Sequence, residues 1–114
     1  MDVRAFTHTL LRGLGDVKAV QHVALESEGP VVSGRAYLYN QMFLSFYYNE
    51  ATGTMAFALI LDENRIWGLD FDNIRGWHSH PVIAPDQHVK ISPQNLPEII
   101  QQFAQALEDI DKVD

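Results

Sequence analysis

Apolar side chains at the start of the chain recur at helical spacing. Val3, Phe6, Leu10 and Leu14 fall on one stripe, and Gly13 and Gly15 supply a stop, which predicts an amphipathic helix over residues 2–13. From Val17 to Glu26 β-branched residues become frequent, and Gly29-Pro30 ends that segment as a turn. The stretch from Gly34 to Asn49 then alternates. Ala36, Leu38, Met42, Leu44 and Phe46 share one parity, while Arg35, Tyr39, Gln41 and Ser45 share the other. Its length implies one long bent strand, or two strands broken near Asn40-Gln41.

Alternation resumes after a turn at Glu50-Ala51-Thr52-Gly53. Met55, Phe57, Leu59 and Leu61 point one way, a tight Glu63-Asn64 turn follows, and Trp67, Leu69 and Phe71 point inward again. Gly68, Asp70 and Asp72 take the outward positions of that last strand. Asn73 to Ser92 shows neither period and carries Gly76, Pro81 and Pro85, so it reads as a loop of roughly 20 residues, a length that usually signals function or disorder. Asn95 and Glu98 form a capping box, Pro97 sits in the first turn, and Leu96, Ile99, Ile100, Phe103, Leu107 and Ile110 stripe a closing helix.

These elements predict an α+β fold of one domain, residues 1–114. It would be an antiparallel meander of four to five strands, with the N-terminal and C-terminal helices packed on one face. The other face would carry Tyr37, Tyr39, Phe43, Tyr47 and Ile66. That is more aromatic than water requires, and suggests a partner or a second copy of the chain, a homodimer through the aromatic sheet face.

Composition narrows the chemistry. A chain without cysteine cannot build a disulfide scaffold, a thiolate metal site or a cysteine nucleophile. No apolar run reaches the length of a membrane span, and no secretory leader is visible, which points to a cytoplasmic protein with no membrane partner. A net charge of −7 disfavours direct nucleic-acid binding, unless the fold gathers Arg4, Arg12, Arg35, Arg65 and Arg75. Glu108, Asp109, Asp111 and Asp114 read as a solvated helix end. Phosphate loops, nucleophile elbows and dinucleotide fingerprints are all missing.

What remains is histidine. His78, His80 and His88 lie close together in the irregular segment, with Asp86 beside the last of them. In extended backbone an H-x-H pair puts two imidazoles on one side, and imidazole serves both as a metal ligand and as a proton shuttle near neutral pH. A metal site from His78, His80, Asp86 and His88 is one reading. The competing one has the rings donating to backbone carbonyls and pinning the loop, with Asp72 or Asp86 as partners. The outward pair Asp70 and Asp72 could also do acid–base work or hold a divalent ion. His8 and His22 lie on regular elements and are not candidates.

Gly76-Trp77-His78-Ser79-His80-Pro81 resembles the start of the zinc-binding motif of JAMM-type peptidases, shortened by one residue. The positions where that family continues with a Ser and its third ligand, an Asp, hold His88 and Ile91. A wider resemblance, from Met42 to Ile110, is to the TumE-type toxins of bacterial toxin–antitoxin pairs. It is carried by Trp67, Phe71, Asp72 and Asn73, then His78, His80 and Pro81, then Pro85 and His88, and then Leu96 to Leu107. Two departures stand out. That family shows an adjacent His pair in the loop, and an Arg where this chain has Asp70.

The resemblance implies a small toxin-like protein acting on RNA or another intracellular target, bound by a cognate antitoxin. His78, His80 and His88 would then be acid–base or ligand groups, oriented by Asp72 and Asp86 as members of a catalytic set. The alternative is a non-catalytic interaction module whose histidine loop is structural. Convergence of the three rings on a reachable point separates the two.

Overall fold

The computed structural model describes residues 1–112, so Asp114 of the acidic end lies outside the described residues. Helix α1 spans Val3–Gly15 and is opened by Asp2, whose carboxylate accepts from the Ala5 amide at 2.7 Å. It runs past Gly13, where the sequence predicts a stop, because Leu14 repeats Leu10 one turn on and both are buried. Seven strands follow: β1 Val20–Glu28, β2 Val31–Leu38, β3 Phe43–Asn49, β4 Met55–Leu61, β5 Asn64–Asp72, β6 Gly76–His80 and β7 Val89–Lys90. Helix α2, Leu96–Asp111, closes the chain on the expected capping box of Asn95 and Glu98.

All seven strands form one antiparallel sheet in chain order, so each strand pairs only with its sequence neighbours. The expected four to five strands become seven because two lie inside the segment expected to be a loop. Trp77 and Ser79 face one side of β6 and His78 and His80 the other. The period of two is there, carried by side chains that do not look like strand residues. The irregular connection shrinks to residues 81–88.

The expected break at Asn40-Gln41 is present. Both residues adopt φ 64°, and a single 3₁₀ turn separates β2 from β3. The β4–β5 turn lies one residue earlier than expected, on Asp62 and Glu63, both with positive φ, as a two-residue hairpin requires.

One face of the sheet meets the helices. Phe6 of α1 stacks on Tyr48 of β3 with ring centroids 4.5 Å apart, and Phe103 of α2 meets Trp67 of β5 at 6.2 Å. Val32, Ala36, Leu44, Phe46, Phe57, Leu59 and Leu69 complete a continuous core with Leu10, Leu14 and Ile99.

The outer face carries Arg35, Tyr37, Phe43, Ser45, Tyr47, Ala56, Ala58, Gly68 and Asp70 in register across β2 to β5. Two residues expected there sit elsewhere. Tyr39 lies in the 3₁₀ turn, and Ile66 falls at a bulge opposite Leu59 and Ile60, from which it packs against the core.

Candidate functional site

The site grows out of the β5–β6 hairpin. Asp72 ends β5, and its carboxylate accepts from the amides of Ile74 (2.9 Å) and Arg75 (2.6 Å) and from the Arg75 guanidinium (3.0 Å). Those bonds, the Arg75 amide first, hold the Asp72 carboxyl below its usual pKa. With the turn fixed on Asn73-Ile74-Arg75, the register puts Asp70 opposite His78 and Gly68 opposite His80. Asp70, His78 and His80 therefore share the outer face. Residues 81–88 then double back, and β7 pairs Lys90 with His78, which carries His88 onto the same spot.

The three imidazoles meet. Ring centroids stand 5.5 Å apart for His78 and His80, 5.0 Å for His78 and His88, and 4.5 Å for His80 and His88. Each ring offers one ligand atom, and those atoms lie within 4.8 Å of one another. Asp70 Oδ2 sits 3.3 Å from His78 Nε2 and 3.4 Å from His80 Nε2. His78 and His80 are 3% and 0% exposed, whereas His88 faces solvent. Beside them opens a cavity of 320 Å³ lined by Arg75, His78, His88 and Lys90.

The two nitrogens of each buried ring are placed differently. His80 Nδ1 lies 3.1 Å from the Pro85 carbonyl and His78 Nδ1 3.3 Å from the Gly76 carbonyl. A carbonyl can only accept, so each Nδ1 carries the proton and, in the neutral ring, Nε2 carries the lone pair. Neither Nε2 has a hydrogen-bond partner among the described residues, although both are buried. Burial, then the nearby Arg65 guanidinium, lower the His80 pKa, against the opposing pull of Asp70.

Of the five residues predicted as a catalytic set, the structure brings together His78, His80 and His88. Asp72 is the clamp of the hairpin turn. Asp86 is exposed in the 81–88 loop and shares no hydrogen bond or ion pair with the imidazoles among the described residues. The carboxylate in the cluster is Asp70, and a signal for it exists. Any tight turn between Asp72 and Gly76 pairs residue 70 with residue 78. A concavity of 630 Å³ between α1 and α2 lies in the helical layer away from this cluster, and its His8, Arg12 and Asp16 are all exposed.

Gly68 makes room for His80. A Cβ there would stand 3.1 Å from the Phe57 carbonyl oxygen, 3.1 Å from Arg65 Cδ and 3.3 Å from His80 Cδ2. Gly68→Val should displace the imidazole and cost about 1–3 kcal/mol of stability. In NMR spectra the His80 ring signals should move far more than those of His8; unmoved His80 signals would contradict the close contact.

No family model, no curated protein and no solved structure matches this chain. The site therefore has to be read from its own geometry.

Proposed function

We propose that this chain is a small toxin-like protein that binds single-stranded RNA across the outer face of its sheet and cuts it at the histidine cluster. One observation carries the reading: the reactive groups and a recognition surface share that face. Four of the chain's eight Lys and Arg residues are gathered there or at its rim. Arg35 lies over the Phe43 ring at 4.4 Å, Arg65 stands beside His80, and Arg75 and Lys90 flank the cavity. Arg4 and Arg12 stay on α1.

His22 stacks on Tyr37 at 4.6 Å, and Tyr37 meets Phe43 at 6.2 Å, a platform of the kind on which unpaired bases stack. Between platform and cluster the floor is made of small residues, Ser45, Ala58 and Gly68, in one cross-strand row from Arg35 to His80. Phe43 and His80 stand three strands and one two-residue step apart, about 16 Å at ~4.8 Å per strand and ~3.4 Å per residue, a distance a few nucleotides bridge. Acidic Glu26 and Glu28 lie at the far edge on β1, and Asp72 is neutralised by Arg75. With Arg75 paired to Asp72, Arg35, Arg65 and Lys90 stand against Asp70, Glu26 and Glu28, so this face is near neutral while the chain as a whole carries −7.

The test is binding and cleavage of a fluorescent single-stranded RNA oligonucleotide. Wild-type protein should bind with an affinity that falls steeply with salt. Arg35→Glu with Tyr37→Ala should weaken binding tenfold or more, while His78→Ala should abolish cleavage. Absence of both binding and cleavage would sink the reading. The same outer face would then remain as a docking surface for an antitoxin-like protein or for a second copy of the chain.

A further inference from the structure

The unpartnered nitrogens say more than that the cluster is reactive. His78 Nε2 and His80 Nε2 are both buried, both without a hydrogen bond among the described residues, and both within 3.4 Å of one carboxylate oxygen of Asp70. In the tautomer that donates Nδ1–H to a backbone carbonyl, each Nε2 turns a lone pair toward the Asp70 carboxylate oxygen. Acceptors facing acceptors in a buried space are costly, and a cation between them removes the cost. One proton bridging a nitrogen to the carboxylate still leaves the other nitrogen unpaired. A metal ion satisfies all of them.

We propose that His78, His80, His88 and Asp70 form a binding site for a divalent transition metal of the zinc class. Three imidazole nitrogens and one carboxylate oxygen suit a borderline cation, and the absence of thiolate argues against a soft one. Nδ1–H donation to the Gly76 and Pro85 carbonyls is the outer-shell arrangement that fixes a ligating imidazole's tautomer and aim. Tetrahedral nitrogens at ~2.0–2.1 Å from zinc stand about 3.3–3.4 Å apart. The present spread of up to 4.8 Å therefore closes by a small movement, which exposed His88 on its loop can supply. The 320 Å³ cavity reaches His88 from solvent and gives an ion and a water their way in.

This inference rests on reading the cluster as a functional centre, but not on RNA as its substrate. Tag-free full-length protein, stripped with a chelator and titrated with zinc chloride by calorimetry, should take up one equivalent. Cobalt(II) in its place should give the visible absorption of a four- or five-coordinate site. Zinc affinity should fall about tenfold to a hundredfold in Asp70→Asn and in the solvent-side variant His88→Ala, and at least as far in His80→Ala. His8→Ala should leave it unchanged. Circular dichroism on each variant separates loss of a ligand from loss of fold.

Zinc uptake that ignores both His88→Ala and Asp70→Asn, or no uptake at all, would overturn the site and leave a proton-only cluster. RNA cleavage that survives the chelator would overturn a catalytic role for the metal while sparing the RNA reading. Stoichiometric zinc with no action on RNA would do the reverse.

Discussion

Gly34→Ala should unseat the first strand. A Cβ at residue 34 would come 2.2 Å from the Ala24 carbonyl oxygen and 2.8 Å from Leu25 Cα, with Phe46 Cζ at 2.9 Å on the other side. The first two are backbone atoms of β1, paired in register with Gly34, so no rotamer change relieves the clash. Overpacking of this kind costs about 1–3 kcal/mol, and a contact with rigid backbone belongs at or above the upper end. Because β1 is an edge strand, the damage should be local first. The amides of Val23 and Leu25 should lose protection in hydrogen exchange while those of β3 to β5 keep theirs. Full retention of protection in β1 would contradict the register given above.

Phe6→Ala should be the more damaging change overall. Phe6 is fully buried, stacks on Tyr48 at 4.5 Å with ring planes 11° apart, and touches Phe57 at 6.3 Å. Tyr48 in turn donates its hydroxyl proton to the Met1 carbonyl, so the stack also anchors the start of the chain. Deleting the ring removes its transfer free energy and leaves a cavity under α1, together about 3–5 kcal/mol. For a domain of this size the melting temperature should drop by on the order of 10–20 °C. A loss below about 1 kcal/mol in urea unfolding would mean that α1 is not seated as described.

The sequence shows the core and hides part of the site, for separate reasons. Leu44, Phe46, Phe57, Leu59 and Leu69 alternate with small or polar residues, so their inward face is plain before any pairing is known. Helix α2 announces itself through Asn95, Glu98 and its stripe. Strand β6 does not, because Trp77 is its one large inward side chain and histidines occupy outward positions where polar surface residues are usual. Strand β7, Val89 and Lys90, is too short to have a period at all.

The imidazoles could be grouped from spacing, since residues 78 and 80 share a side of extended backbone. The carboxylate that joins them could not be picked by nearness along the chain. Asp86 stands two residues from His88 yet bonds to none of the imidazoles among the described residues, and Asp72 is consumed by the turn it builds. Asp70 reaches the cluster only through cross-strand register, which follows from where the Asp72–Gly76 turn falls and not from nearness in sequence.

The strictly sequential strand order also governs how the chain assembles. Each hairpin closes a short loop at low entropic cost, so the sheet zips up from neighbours without waiting for distant segments. The two helices are the exception. Ile100 of α2 rests on Gly13 of α1, a contact that joins opposite ends of the chain. During synthesis α1 emerges before the sheet and α2, so Phe6 and Leu10 must wait for most of the sheet before they find cover. That delay leaves a nascent chain with an unsheltered apolar helix, the kind of surface that folding chaperones hold.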